Sequence, residues 1–336
     1  MAVYMAEAFE NDTGKTGLGI LRYSPNPVVA VVDACNAGRR IHDITRIGRD
    51  APIVASVAEA KGLGAEVLAI GIAPLGGRMP DAWISEIDRA VALGLSLVNG
   101  LHDRIAPRYP CLRPGQFVWD VRTEPQGLQS GQGLARRLRN RRALMVGTDM
   151  CVGKMTTGLE IDLSAKKRGL KSAFVATGQT GITIMGSGVP LDAVRLDYAA
   201  GAVEREVMLH AESELIVIEG QGSLLNPASS ATLPLLRGSC PTHLVLCHRA
   251  RMDQLRNFPW ITVPRLSEVA RLYEDVAEAL GSFQRPRTVA VALNTCGLSE
   301  SEARDEASRL EDESGVPVCD PVRHGADALL DAVLDS

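Results

Sequence analysis

The chain has no C-x-x-C pair. Its seven cysteines (Cys35, Cys111, Cys151, Cys240, Cys247, Cys296 and Cys319) are odd in number and scattered along 336 residues. That distribution speaks against a disulfide framework and for a reducing compartment. Long apolar runs are also missing: those present, such as 28–32 and 215–218, are strand-sized and far below the roughly 20 residues that span a bilayer. There is no basic excess, since 36 Lys and Arg face 40 Asp and Glu for a formal net charge of −4; a general nucleic-acid binder would carry a basic field. Aromatic residues make up only 4% of the chain, and neither a fixed-period repeat nor a low-complexity segment is visible. The N-terminal MAVYMAEAFENDTGKTG places acids where a secretory leader needs a basic start and an apolar run. These absences point to a cytoplasmic location, small-molecule partners, and neither nucleic acid nor membrane as a partner. Base rates for soluble enzymes add a homo-oligomer.

What is present is an ordinary globular composition, 46% hydrophobic and 23% charged, in a chain longer than one hydrophobic core usually serves. Two domains are expected, 1–125 and 126–336. In the first, VVAVVDA (28–34), PIVAS (52–56), EVLAIGI (66–72) and LSLVNG (95–100) alternate with helix-like stretches. Strands that lack polar alternation are those buried on both faces by crossover helices, so the rhythm predicts a Rossmann-like parallel sheet. The pattern lapses around 109–133, with VWDVR (118–122) as a last strand. The second half opens on the basic run LARRLRNRR (134–142), read as a solvated helix face. Strands ALMVG (143–147), SAFVAT (172–177), ELIVIEG (214–220), THLVLCH (242–248) and TVAVALN (288–294) then predict a doubly wound parallel sheet.

Residues 147–157, GTDMCVGKMTT, run from that first strand through a glycine-bracketed turn into a helix. Such a turn lets backbone N–H groups approach an anion, the helix N-terminus favours negative charge, and Lys154 adds a cation. The loop therefore reads as a cradle for a diphosphate, built by Gly147, Thr148, Asp149, Cys151, Val152, Gly153, Lys154, Met155 and Thr156. It departs from G-x-x-x-x-G-K-[ST] twice: one residue is inserted between the glycines, and Met155 follows the lysine. A thioether is a poor ligand for Mg²⁺, which weakens the case for cleaving a nucleoside triphosphate and favours coenzyme A. Gly14-Lys15-Thr16 is a chance pair without the upstream glycine. Gly147-Thr148-Asp149 with Val152-Gly153-Lys154 resembles the loop of dethiobiotin synthetases.

Together with VATGQTGI (175–182), LDYAAGAVE (196–204), VIEGQGSLLNP (217–227), ALNT (292–295), GKTGLGILRYSPNPVVAVVD (14–33) and GIAPLGG (71–77), the loop makes nearly the whole chain resemble the DgcN family of two-domain P-loop proteins. That resemblance implies N-acetylation of D-glutamate with acetyl-CoA as co-substrate and no required metal. The amine must lose a proton before attacking the thioester. Glu219, at the end of the strand LIVIE, is the first candidate for that base, against a structural or Walker-B-like carboxylate; Asp149 is the second, against a turn brace. Thr177 and Gln179 follow the second strand of this domain and either touch substrate or form a plain turn. Asn294, by the dethiobiotin-synthetase likeness, implies an adenine-reading amide.

Two substrate carboxylates call for cations, and Lys15, Arg39, Arg78 and Arg251 lie beside predicted strand ends or glycine-rich loops, with Asn36 beside Arg39; each also reads as a surface group. Cys240, His243, Cys247 and His248 fit no common zinc spacing and read as core. Cys151 reads as loop packing, with an acyl-cysteine as the minor alternative. The competing functions are a Mg-ATP-dependent ligase or kinase, with Thr156 or Glu219 recovering the metal, and a CoA- or nucleotide-sensing protein.

Overall fold

A computed structural model describes every residue except Glu7, Glu10 and Asn11; two of the N-terminal acids weighed above thus lie outside the described residues. The chain divides into two compact units, Met1–Glu124 with Gln179–Ala193, and Pro125–Gly178 with Val194–Ser336.

In the first unit the elements run β1 (Ala2–Tyr4), α1 (Lys15–Tyr23), β2 (Ala30–Val32), α2 (Ile41–Ile44), β3 (Ile53–Val54), α3 (Val57–Gly62), β4 (Val67–Ile70), α4 (Asp81–Ala92), β5 (Ser96–Asn99) and β6 (Val118–Asp120). The sheet order is β3-β2-β1-β4-β5-β6, with every pairing parallel. This is the Rossmann-like architecture that the apolar runs predict. No sequence signal marks its central strand, because AVY is three residues long and no turn signal sets it off. Those three residues are buried and pair Val3 with Val31 on one side and Ala69 on the other. The start of α1 presses against the end of β4: Gly17 N donates to Gly71 O at 2.7 Å, and a Cβ on Gly71 would sit 2.8 Å from Gly17 Cα. Only a pair of glycines permits that approach.

The later insertion completes this unit. Its helix, α6 (Gln179–Met185), packs on α1, with the hydroxyls of Thr16 and Thr180 2.9 Å apart. Arg122 donates from Nε to Gly100 O at 2.7 Å, contacts His102 Nε2 at 2.7 Å and ion-pairs with Asp192 near the end of the insertion.

The second unit comprises β7 (Arg141–Gly147), α5 (Lys154–Lys167), β8 (Ser172–Val175), α7 (Leu196–Met208), β9 (Leu215–Ile218), α8 (Thr232–Ser239), β10 (His243–Arg249), β11 (Gln254–Leu255), β12 (Phe258–Thr262), α9 (Leu266–Glu278), β13 (Arg287–Asn294), α10 (Glu300–Ser314), β14 (Val318–Cys319) and α11 (Asp327–Leu334). Its main sheet, β14-β13-β10-β7-β9-β8, is parallel throughout, and β11 and β12 form a separate antiparallel hairpin. Every run read as a strand carries one. The two-residue β14 and β11 are too short to show in the sequence pattern, and Pro259 interrupts the run that forms β12.

The basic run requires a correction. Leu134–Arg137 is a single 3-10 turn, not a solvated helix, and Arg142 is 1% exposed. Its guanidinium donates to Ser239 O (3.1 Å), Cys240 O (2.9 Å), Leu138 O (3.1 Å) and Asn140 O (2.9 Å). It thereby satisfies carbonyls at the C-terminus of α8 and in the preceding turn, groups that would otherwise be orphaned. Composition alone hides this because arginine is the side chain best able to serve several carbonyls at once.

Candidate functional site

The site in the second unit grows from the C-terminal end of β7, the strand between β10 and β9. Open α/β sheets bind ligands at the carboxyl ends of such strands. After Gly147 the chain turns through 148–153, where Cys151 (φ +59°) and Gly153 (φ +111°) take left-handed backbone, and enters α5. Gly153, the N-cap of α5, has no side chain to serve the N–H groups of the first turn, and a helix start of this kind suits an anion. Lys154 is 6% exposed, and its ammonium donates to Asp149 O at 2.7 Å. Burial lowers its pKa, while Cys247, Cys151, Asp149 and Glu219 act the other way. A cation held over its own loop, against a backbone carbonyl, is placed to exchange that partner for an incoming phosphate. Met155 and Thr156 follow in the first turn, both partly exposed.

Asp149 is 2% exposed and meets three N–H donors: Met150 N (2.7 Å) and Asn226 Nδ2 (2.6 Å) on Oδ1, and Arg256 N (2.9 Å) on Oδ2. This carboxylate braces the loop, the segment after β9 and the turn of the hairpin. Thr148, also buried, shares a 2.9 Å contact between Oγ1 and His248 Nδ1, and its N donates to Cys247 O at 3.1 Å. Burial pushes the His248 pKa down to about 4 and the Cys247 thiol up to about 11. Both are therefore neutral near pH 7.

Glu219 follows β9 and is 5% exposed. Its Oε2 accepts from Thr177 N (2.8 Å) and Gly178 N (3.1 Å), and its carbonyl accepts from Thr177 Oγ1 (2.9 Å). The ends of β8 and β9 are thus stitched together, with the Gln221 amide donating to Thr177 O. Gly220 beside them is obligatory: a Cβ there would lie 1.6 Å from Met145 O.

Several members of the site carry no clear sequence signal. Tyr273 on α9 is fully buried; its hydroxyl donates to Gly147 O (2.8 Å) and accepts from Leu224 N (3.0 Å), and burial raises its pKa. Ser223 Oγ donates to Thr148 O at 3.1 Å. Together with Asn226 these lock the segment after β9 against the phosphate loop. GQGSLLNP holds a hint in its Ser and Asn, but Tyr273 lies 126 residues from Gly147 and nothing local marks it.

The structure thus gathers 147–156, Thr177 and Glu219 in the second unit. Asn294 ends β13, two strands from β7, with Oδ1 accepting from Cys296 N at 3.0 Å. Arg251 is exposed, with φ +59°, and pairs with Glu302 at 2.9 Å. The other candidates belong to the first unit. Lys15 opens α1 and is exposed, Asn36 donates to Asp33 Oδ2 (2.8 Å), and Arg39 reaches Asn36 Oδ1 (3.3 Å). Arg78 is exposed after the loop that follows β4, and Gln179 begins α6.

Family models match this chain at 34–124, as a domain of unknown function described as Rossmann-like (DUF1611_N), and at 129–330, as one described as a P-loop domain (DUF1611_C). The chain belongs to the DUF1611 family. Its crystallised relatives include a DUF1611 family protein from Anabaena variabilis, 50% identical, covering 100% of this chain and 99% of the other with a TM-score of 0.95. Two curated relatives carry the name D-glutamate N-acetyltransferase. One, from Tritonibacter scottomollicae, is 35% identical over 98% of this chain and 97% of its own; the other, from a Pseudoalteromonas species, is 34% identical over 82% and 83%. The family likeness read from the loop and the motifs around it is thereby established for this DUF1611 protein.

Proposed function

We propose that the protein transfers the acetyl group of acetyl-CoA to the amine of D-glutamate. The observation that carries this reading is the composition of the phosphate loop: a buried lysine and an uncapped helix start that suit a diphosphate, followed by Met155 where a Mg²⁺-binding hydroxyl would serve a triphosphate. Coenzyme A offers a diphosphate whose bonds stay intact through the reaction. The names of the two curated relatives support both the acetyl transfer and the acceptor.

In this reading Lys154 and the first-turn N–H groups hold the diphosphate, and Asn294 reads the adenine. Glu219 takes the proton from the ammonium of the acceptor. The amine nitrogen then bonds to the thioester carbonyl carbon, and the tetrahedral oxyanion collapses as the C–S bond breaks. The nitrogen gives up its second proton as the thiolate leaves, and the thiolate takes up a proton, so that a neutral amide and a free thiol result. Asp149, held by three N–H donors, positions the loop; the role of base falls to Glu219, whose two backbone partners aim its carboxylate at a strand end.

Calorimetric titration of the metal-free protein tests this reading. Acetyl-CoA should bind without metal, and D-glutamate should then release one thiol per acetyl group transferred, with L-glutamate as the control. Binding of ATP with Mg²⁺ but not of acetyl-CoA would return the protein to the ligases and kinases.

A further inference from the structure

The hairpin β11–β12 belongs to neither layer of the second unit. It stands between β10 and α9 in the chain, and its sequence from the end of β10, RARMDQLRNFPWIT, combines Arg249, Arg251 and Arg256 with Phe258 and Trp260. All three arginines are exposed, and Trp260 is 75% exposed in a protein with only three tryptophans. Phe258 and Trp260 lie two apart on one strand and so share a face; their rings meet edge to face with centroids 5.4 Å apart. The hairpin is also tied to the phosphate loop, because its turn donates Arg256 N to Asp149 Oδ2 at 2.9 Å. At ~3.3 Å per residue, Trp260 lies no more than about 13 Å along the chain from that contact.

We propose that this hairpin recognises the 3′-phosphorylated adenosine end of coenzyme A, which rests on the acetyl-CoA reading above. A purine stacks on an exposed indole whatever its hydrogen-bonding edge, and arginine binds phosphate through its planar fork. A diphosphate in the loop leaves the nucleoside attached to it in reach of the element that Asp149 holds. Arg256 sits in the very turn that Asp149 fixes through its backbone N–H, and Arg249 ends β10, so these two arginines are the ones that meet the 3′-phosphate. The hairpin thereby distinguishes coenzyme A from nucleotides lacking that group, a discrimination the loop itself cannot make.

The test uses the full chain and four proteins: wild type, Trp260→Ala, Trp260→Phe and Arg256→Ala, each titrated with acetyl-CoA and with its 3′-dephospho analogue. Trp260→Ala should weaken acetyl-CoA about tenfold or more, as loss of one stacked base does, while Trp260→Phe retains most of the affinity. Arg256→Ala should shrink the preference for acetyl-CoA over the dephospho form. Quenching of tryptophan fluorescence by acetyl-CoA should be lost in Trp260→Phe. If wild type binds acetyl-CoA but Trp260→Ala and Arg256→Ala bind it equally well, the hairpin proposal fails and the acetyltransferase reading stands. The hairpin proposal fails equally if Trp260→Ala alters only the sedimentation of the protein, which would give this face to a second copy of the chain. If wild type binds no acetyl-CoA, both readings fall.

Discussion

Replacing Asp149 by asparagine separates a brace from a base. All three partners of this carboxylate are N–H donors, at 2.6 to 2.9 Å. An asparagine offers one oxygen and one NH₂ group. With its oxygen at the Oδ1 position it keeps Met150 N and Asn226 Nδ2 but points a donor at Arg256 N; the opposite flip loses two partners to save one. Hydrogen bonds to a charged group contribute about 1.5–3 kcal/mol each, and leaving a buried donor unpaired costs about 1–3 kcal/mol. Losing the Arg256 contact and weakening the other two should therefore destabilise the second unit by about 2–4 kcal/mol. Urea unfolding followed by circular dichroism reads this as a lower midpoint with unchanged slope for the corresponding transition; a two-unit chain need not unfold in one step. Acetyl-CoA affinity should fall together with stability, because the same bonds hold the loop. A variant with an unshifted midpoint but no turnover would refute the bracing argument and make Asp149 the base.

Lys154→Ala should weaken acetyl-CoA binding by at least about tenfold, the scale of one charged hydrogen bond, with the unfolding midpoint nearly unchanged; calorimetry and urea titration check the two halves. Glu219→Gln should lower turnover by about 100-fold or more, as loss of a general base does, with little change in acetyl-CoA affinity; unaltered steady-state kinetics would remove it from the mechanism. Gly220→Ala should prevent stable folding of the second unit, since its Cβ would overlap Met145 O, and soluble yield with circular dichroism reports it. His248 carries a pH dependence. Burial depresses its folded pKa from 6.5 to about 4, so its neutral form contributes stability that is full above pH 6.5 and lost as the pH falls through 4. That shift corresponds to roughly 3 kcal/mol, and the difference in urea stability between about pH 7 and about pH 4 should shrink by that order in His248→Gln.

Much of this arrangement is legible in the sequence, for local reasons. Apolar runs without alternation mark the strands of both parallel sheets, because burial on two faces leaves a signature within each run. The phosphate loop is visible because its glycines, lysine, preceding strand and following helix all fall within or beside 147–157. What stays hidden depends on distant partners. The hydroxyl of Tyr273 serves Gly147 and Leu224, both far away in the chain, and a buried tyrosine on an amphipathic helix otherwise looks like any core residue. Arg142 looks like one more surface charge in a basic run, although its carbonyl partners at Ser239 and Cys240 bury it. The strand at Ala2–Tyr4 is central only because β2 and β4 flank it, which no periodicity in three residues can announce.

The insertion Gln179–Ala193 sets the order in which this protein can be made. Its helix α6 packs on α1 and Asp192 holds Arg122, so the first unit lacks a piece of itself until residue 193 has emerged from the ribosome. By then β7, the phosphate loop, α5 and β8 have emerged as well, while β9, β10 and β13 have not. Domains usually finish folding in the order of their synthesis; here the earlier unit waits for a segment encoded within the later one. No single cleavage can therefore part the two units cleanly: cutting after Glu124 strips α6 from the first and leaves it attached to the second.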